Sequence, residues 1–144
     1  MLGNTRFKQA AEQISRRGLV TPEHYKVIVV GAGFAGIGAA IKLQQEGFDF
    51  QVLEKAAEIG GVWRDNSYPG CACDVPSALY SYSFAPNPRW SRLFAEQTEI
   101  KDYTLNVARR FDLLPAVRLN HELLSARWDT DEQVWRLETN QGAF

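Results

Sequence analysis

Three glycines that follow an apolar segment are the residues of this sequence best suited to binding a ligand. Gly31, Gly33 and Gly36 match the pattern G-x-G-x-x-G, after a β-branched run and before apolar residues at helical spacing. The first glycine permits a tight turn, the second lets the backbone approach a pyrophosphate, and the third allows close packing of helix on strand. The N–H groups of the helix N-terminus then face the phosphates. The pattern predicts a dinucleotide site, and a glycine-rich turn that binds nothing is the alternative.

Glu54 supplies the second part of this pattern. It ends the next apolar strand, at roughly the 20-residue spacing at which an acidic side chain accepts hydrogen bonds from an adenosine ribose. A carboxylate at this place repels a 2′-phosphate, so we expect a ribose with free hydroxyls. The two features together predict FAD or NAD as the ligand rather than NADP.

A second pair of glycines favours FAD over NAD. Gly60 and Gly61 precede Val62 and Trp63; paired glycines let backbone N–H groups approach an extended ligand, and the indole offers a flat apolar surface. This additional contact suits the longer FAD. A plain turn is the alternative for the Gly-Gly pair by itself. An NAD-linked dehydrogenase is the alternative for the whole site, and the Gly-Gly-x-Trp step argues against it.

Residues 60–84 carry a family resemblance. Gly-Gly-Val-Trp at 60–63 is followed by Tyr-Pro-Gly-Cys-Ala-Cys-Asp-Val-Pro-Ser at 68–77 and by Tyr-Ser-Tyr-Ser-Phe at 80–84. In this order, behind the glycine motif and Glu54, these residues closely resemble the N-terminal FAD-binding region of flavoprotein monooxygenases. The type is that of the Baeyer–Villiger and flavin-containing monooxygenases, including cyclohexanone monooxygenases. The resemblance runs from about Tyr25 to the end of the chain.

The resemblance implies a cofactor role for each matching position. Residues 33–35 would lie along the pyrophosphate, Glu54 and Lys55 would border the ribose, and residues 62–63 would lie beside the ribityl chain and the flavin. Tyr80 would approach the isoalloxazine, and the backbone of Leu123 would touch the adenine. The full implied set is Gly31, Gly33, Phe34, Ala35, Gly36, Glu54, Lys55, Gly61, Val62, Trp63, Ala72, Cys73, Asp74, Tyr80 and Leu123.

Asp74 is the one residue to which the resemblance gives a catalytic role. It would orient the active site near the flavin and, with Ala72 and Cys73, meet the nicotinamide cofactor. A loop-capping Asx turn is the alternative for this aspartate. Two departures from the family pattern concern the same region. Ala72 stands where many Baeyer–Villiger enzymes carry Arg, and residues 64–65 (Arg-Asp) replace aromatic residues, which makes the flavin edge more polar.

The activity that the resemblance implies is an NADPH-dependent flavin monooxygenation. NADPH reduces FAD, O2 adds to form a flavin C4a-peroxide, and that species inserts oxygen next to a ketone or oxidises nitrogen or sulfur in a small-molecule substrate. The sequence has no second G-x-G-x-x-G, so we expect the NADPH site to lie mostly outside this chain. We expect no turnover from the chain alone. A non-catalytic, truncated flavin-binding fragment is the alternative.

The elements that must position these residues follow from periodicity. An unbroken β-branched strand at 26–30, a helix from Ala35 to a stop at Gly47, and a strand at 48–53 form a βαβ unit. Residues 57–90 are too rich in glycine and proline for a long regular element. A helix is predicted from an N-cap at Thr98, with residues 100, 103, 107 and 111 on one apolar face.

The hairpin and the fold class complete the prediction. Two strand-like runs, 122–128 and 133–139, flank a polar turn and predict a β-hairpin or meander. The fold expected is α/β, a Rossmann-like FAD/NAD(P)-binding three-layer fold with a parallel sheet, an inserted helix and the hairpin. We expect residues 1–24 to be a leader and 25–144 to be the FAD-binding domain, incomplete as it stands.

Composition limits the partners. The chain of 144 residues carries a net charge of −1 with 45% hydrophobic residues, which excludes disordered classes and gives no basic surface for nucleic acid. No apolar stretch reaches the roughly 20 residues of a membrane span, and residues 1–17 lack the pattern of a secretory signal. Cys71 and Cys73 are too close for an unstrained disulfide and lack suitable partners for zinc. We therefore expect no metal, free thiols and a cytoplasmic protein; oligomeric state is not predicted.

Overall fold

The structure is a computed structural model that describes residues 22–144. Its first elements are those of the predicted βαβ unit. Strand β1 (Val27–Val30) leads through the glycine motif into helix α1 (Phe34–Gln45), and strand β2 (Phe50–Leu53) follows. The two strands are parallel, in register from Val27 opposite Phe50 to Val30 opposite Leu53. Gly47 adopts a φ of +70° directly after α1, which confirms the predicted helix stop.

A third strand, β3 (Val117–Arg118), pairs in parallel with the other edge of β2, so the strand order is β1-β2-β3. The parallel sheet is confirmed, but β3 was not predicted because two residues carry no periodicity. A buried side chain reinforces the pairing: the Gln51 amide donates to the carbonyl oxygen of Ala116 at 2.6 Å.

Helix α2 (Val62–Asp65) is the only α-helical turn within the loop at 57–90, which also holds a 3₁₀ turn at Ser77–Leu79. The predicted lack of a long regular element there is confirmed. Helix α3 (Gln97–Arg110) follows, with Glu96 as N-cap and no side-chain cap bond. The predicted N-cap at Thr98 is therefore wrong, and Thr98 lies within the first turn.

The apolar face of α3 packs on α1 as part of the core. The predicted residues Ile100, Tyr103 and Val107 are buried, whereas Phe111 is half-buried just beyond the helix. The main cluster joins α1, β2 and α3; its buried members are Ala32, Ile37, Ala40, Ile41, Val52, Ile59, Tyr82, Ala85, Tyr103, Val107, Ala108 and Leu113. Ala32 of the glycine turn and Ile59 of the loop after β2 both belong to this cluster, so the cluster holds the turn and the loop together.

The hairpin prediction is confirmed by β4 (Leu123–Asp129) and β5 (Val134–Thr139), which pair antiparallel. The Asp129 carboxylate accepts the N–H groups of Asp131 and Glu132, each at 3.2 Å, and so closes the turn. The predicted leader is residues 1–24, and residues 1–21 of it lie outside the part of the chain that the structure describes. Within residues 22–144, every helix is too short or too polar to cross a membrane.

Candidate functional site

The two glycine segments meet in the structure. Gly31 has a φ of +93° and donates its N–H to the carbonyl oxygen of Leu53 at 2.7 Å. Gly60 donates its N–H to the carbonyl oxygen of Ala32 at 2.9 Å. A Cβ added to Gly61 would lie 2.8 Å from the Cα of Gly33. The turn after β1 and the turn before α2 are therefore in backbone contact, and the open side of Gly33 faces Gly61.

Gly36 closes the other side of the motif. A Cβ at this position would lie 1.9 Å from the carbonyl oxygen of Gly31 and 3.6 Å from Cγ1 of Val29. Any side chain would push α1 off the end of β1. The glycine thus sets how near the helix N-terminus comes to the strand, as the sequence pattern suggests.

The N-terminus of α1 has no acceptor from a capping side chain. Its N-cap is Gly33, no side-chain cap bond is formed, and its first turn has no acidic residue. Phe34 and Ala35 begin the helix, so their N–H groups and the positive end of the helix dipole are available to an anion.

Glu54 is buried at the carboxyl end of β2, with 3% of its surface exposed. Its Oε2 accepts the N–H of Ala32 at 2.8 Å, and its Oε1 accepts the N–H of Ala56 at 2.9 Å. Oε1 also accepts from Nη1 of Arg64 at 3.1 Å. Burial would raise the pKa of Glu54, but the two N–H groups and the guanidinium outweigh it and lower the pKa below its ordinary value. Glu54 is therefore an ionised acceptor at neutral pH.

Arg64 is a residue of this site whose partnership with Glu54 the sequence analysis missed. Its Nη1 also donates to the carbonyl oxygen of Glu58 at 2.6 Å. Its Nε and Nη2 form a fork with the Asp65 carboxylate at 2.8 and 3.0 Å. The sequence did contain a signal for this ion pair: a basic residue, opposite in charge to Glu54, one helical turn after the Gly-Gly pair. Lys55, the predicted neighbour of the ribose, is exposed beside this cluster.

Trp63 and Tyr80 connect α2 with the following loop. The indole Nε1 donates to the Tyr80 hydroxyl at 2.9 Å, and the two rings meet edge to face at 5.3 Å. Trp63 is only 8% exposed, and it packs in a small cluster with Cys71, Cys73 and Ile100. Val62, one residue earlier, is largely exposed. The indole is thus anchored inside the protein rather than presented as an open surface.

Phe34 lies on a stack of aromatic rings. It stacks on Tyr82 at 4.1 Å and meets Tyr80 edge-on at 5.0 Å. The Tyr82 hydroxyl donates to the carbonyl oxygen of Phe34 at 2.6 Å, and burial raises the pKa of Tyr82, so it remains a donor. Tyr103 donates in turn to the carbonyl oxygen of Ala85 at 2.8 Å. The start of α1 is held by this stack.

Asp74 is exposed, and its carboxylate accepts no hydrogen bond from residues 22–144. The alternative of a loop-capping Asx turn is therefore not what the structure shows. Its neighbours are fixed: Ala72 pairs with Glu96 in an isolated bridge, and the Cys73 thiol donates to the carbonyl oxygen of Val75 at 3.1 Å. Cys71 and Cys73 are both free thiols, and the described residues contain no cluster suited to a metal ion.

Leu123 belongs to the hairpin and not to either glycine turn. It begins β4, two residues after His121, whose N–H donates to the carbonyl oxygen of Glu54 at 2.9 Å. It also lines a cavity of about 810 Å³ between β1 and the hairpin, together with Val30 and Trp128. Of the predicted cofactor residues only Leu123 lines this cavity, so the cavity is separate from the Gly33–Gly61 contact.

Comparison with known proteins agrees with this geometry. A family model described as an NAD(P)-binding Rossmann-like domain matches residues 29–97, which include both glycine segments and Glu54. The Rossmann-like fold predicted from the sequence is confirmed.

Individual related proteins show the similarity more specifically than the family model does. A Baeyer-Villiger monooxygenase of Streptomyces coelicolor is 54% identical over 85% of this chain and 24% of its own length. The crystal structure of cyclohexanone monooxygenase from Rhodococcus sp. Phi1 bound to NADP+ superimposes with a TM-score of 0.81 at 35% identity, over 86% of this chain and 24% of that one. The crystal structure of OTEMO in complex with FAD and NADP has a TM-score of 0.77 at 30% identity, over 83% and 23%.

The chain thus spans about a quarter of the length of the curated relatives that it matches. The resemblance seen in the sequence is confirmed, and the chain is homologous to the N-terminal part of the Baeyer–Villiger type of flavoprotein monooxygenases.

Proposed function

We propose that this chain forms the FAD-binding part of an NADPH-dependent flavin monooxygenase. The observation that carries the proposal is the meeting of two glycine turns beside a buried, ionised Glu54 at the carboxyl end of β2. In a parallel sheet of this kind, ligands bind at the carboxyl ends of the strands. The solved relative with FAD and NADP supports the same cofactors here.

The nucleotide end of FAD fits the residues at this edge of the sheet. The N–H groups that begin α1, at Phe34 and Ala35, have no capping acceptor and would hold the pyrophosphate. Glu54 would accept from the adenosine ribose, with Lys55 beside it. Gly61 and Gly33 leave both backbones without side chains, and the phosphates would approach there. The backbone of Leu123 would contact the adenine.

The flavin end would lie along the segment from Val62 to Tyr80. The exposed Val62 would contact the ribityl chain, and the Trp63–Tyr80 pair would hold its rings at a fixed angle beside the isoalloxazine. Asp74, exposed and without a protein partner in the described chain, would orient the reacting groups near the flavin together with Ala72 and Cys73. Bound FAD would supply the redox chemistry, receiving hydride from NADPH and reacting with O2.

A direct test is to titrate the purified chain with FAD and to follow quenching of flavin fluorescence. We expect saturable binding, and a folded chain that binds no FAD would overturn the proposal. Adding NADPH without oxygen while the flavin spectrum is recorded, and then admitting air while oxygen uptake is recorded, separates the two functional alternatives. Bleaching of bound flavin by NADPH would show a competent enzyme. Bound flavin that NADPH leaves oxidised would show a flavin-binding module that needs further sequence for turnover.

Substrate and location belong to the same proposal. We infer a small-molecule substrate, a ketone or a compound with an oxidisable nitrogen or sulfur, and assays of one ketone and one thioether with the loaded protein distinguish them. The two free, buried thiols of Cys71 and Cys73 support a reducing, cytoplasmic location. Fractionation of cells that express the chain would test that location.

A further inference from the structure

Arg64 holds the carboxylate that the nucleotide would use. Oε1 of Glu54 already accepts two donors, Ala56 N–H at 2.9 Å and Arg64 Nη1 at 3.1 Å. Oε2 accepts one, the N–H of Ala32 at 2.8 Å. A carboxylate has about four acceptor positions, so the bonds formed within residues 22–144 leave one position open, on Oε2.

The guanidinium is itself fixed from three sides. Arg64 reaches Glu54, the carbonyl oxygen of Glu58 and, through a two-bond fork, Asp65. Its side chain is 11% exposed, and that of Glu54 is 4% exposed. The fork is with an exposed carboxylate, since the Asp65 side chain is 56% exposed, but a two-bond contact still restricts the orientation of an arginine more than a single ion pair does. The arginine therefore cannot leave Oε1 without losing several bonds at once.

We propose that Arg64 is a positioning residue for the nucleotide: by filling Oε1 it fixes the Glu54 carboxylate so that Oε2 presents a single acceptor to a ribose hydroxyl. The proposal rests on the proposed function, because it concerns the same ribose. It adds a specificity determinant, since the site would select a ribose with a free hydroxyl through the combined geometry of Glu54 and Arg64.

The test compares two ligands that differ only in the ribose. ADP carries both hydroxyls, and 2′,3′-dideoxy-ADP carries neither; their dissociation constants are measured by calorimetry on the whole 144-residue chain. For the unaltered chain we expect ADP to bind about tenfold more tightly, the scale of one hydrogen bond to a charged group. In Arg64→Gln this preference should fall below about threefold, while the affinity for dideoxy-ADP changes less than about twofold.

Two further variants show whether the effect passes through Glu54. In Glu54→Gln, adding Arg64→Gln should cause no further loss of the ADP preference, because residues that act through one another are not additive. Arg92→Gln removes an exposed arginine that pairs with Glu96, and it should leave both dissociation constants unchanged.

Several results would overturn the inference. If Arg64→Gln weakens both ligands equally, the arginine is only a structural brace, and if it changes neither, it has no role in binding. If this variant does not fold, Arg64→Lys decides: it keeps the charge but loses the fork, and an unaltered ADP preference would refute the inference. If the unaltered chain binds neither FAD nor either diphosphate, the proposed function is refuted as well. Bound FAD with no hydroxyl preference refutes the ribose contact of Glu54 and the role of Arg64, and leaves FAD binding itself standing.

Discussion

The two ends of the proposed site are built in opposite ways. At the nucleotide end, Gly33, Glu54 and Gly61 are held by backbone contact, by three donors to one carboxylate and by burial. At the flavin end, Val62 and Asp74 are exposed. The anchored groups there are the indole of Trp63, held through Tyr80, and the segment of Ala72 and Cys73.

The proposed site would thus recognise its ligand at the nucleotide end and carry out its chemistry at the flavin end. The nucleotide end is organised before a ligand arrives, so little conformational entropy remains to be lost there on binding. The side chains at the flavin end have polar or apolar surface that the described residues do not cover. Substitutions at the first end should therefore alter stability and affinity together, and substitutions at the second should alter them separately.

The largest expected effect comes from placing a side chain between the two glycine turns. Gly61 has φ +56° and ψ −131°, a combination open essentially to glycine. Gly61→Ala also puts a Cβ 2.8 Å from the Cα of Gly33. We expect a loss of roughly 2 to 4 kcal/mol of unfolding free energy and loss of FAD binding. Urea unfolding and fluorescence titration measure the two.

Gly70→Ala is the matched control at the flavin end. Gly70 has a φ of +82° with nothing within 4 Å of an added Cβ, so it suffers strain without a clash. We expect a cost of about 1 to 2 kcal/mol and retained FAD binding. Equal losses in the two variants would show that the contact between the glycine turns contributes nothing.

The second effect in size concerns Glu54. Glu54→Gln removes the charge that three donors stabilise, and we expect FAD affinity to fall by roughly 1 to 3 kcal/mol. Glu58→Gln, in the same loop, removes an exposed ion pair with Lys101 and should cost less than about 1 kcal/mol. Unchanged FAD affinity in Glu54→Gln would show that this carboxylate does not hold the ribose.

Acid titration gives an independent measurement on Glu54. Because its pKa is lowered in the folded chain, its contribution to stability is present above the ordinary carboxyl pKa, near 4.3. That contribution is lost as pH falls through the lower, folded-state pKa. We expect unfolding free energy to fall between about pH 5 and pH 2, and to fall less steeply in Glu54→Gln. An identical pH dependence would contradict the assigned hydrogen bonds.

A smaller effect is expected from the anchored indole. Tyr80→Phe leaves the Nε1 of Trp63 without its acceptor and should cost about 1 kcal/mol of unfolding free energy. Tyr68→Phe changes an exposed tyrosine of the neighbouring loop and serves as control. A change in tryptophan emission in Tyr80→Phe, absent from the control, would place the effect at the pair.

The smallest effect on stability is expected at Asp74. Asp74→Asn should shift unfolding free energy by less than about 0.5 kcal/mol, since the side chain has no protein partner in the described chain. We expect Asp74→Asn instead to change the absorption spectrum of bound FAD. Asp102→Asn, on α3, should leave both unchanged. A large loss of stability in Asp74→Asn would remove the contrast between the two ends.

Local periodicity explains why much of the fold was predictable. The βαβ unit and the hairpin have regular apolar patterns with clear stops at Gly47 and at residues 129–132, and the structure has them there. The start of α3 differed because Thr98 has the preferred capping chemistry, yet the helix begins earlier without any side-chain cap.

Contacts between distant segments were not predictable in the same way. Strand β3 is two residues long, so only its pairing with β2 identifies it. The Arg64–Glu54 ion pair and the Gly33–Gly61 contact depend on how two turns meet across the sheet edge, which no local pattern encodes. The spacing of the glycines in the sequence identified them as candidate site residues. Only the structure shows that Gly33 and Gly61 face each other.

The pairing of β2 with β3 has a consequence for how the chain reaches its fold. The bond from Gln51 to Ala116 joins residues 65 positions apart, whereas β1 and β2 enclose only one helix. Closing a long loop before any contact is gained makes such pairings slow to form. We therefore expect the β1-α1-β2 unit to assemble early during refolding and the β2–β3 edge, next to Glu54, to form late, which pulse-labelled hydrogen exchange can resolve.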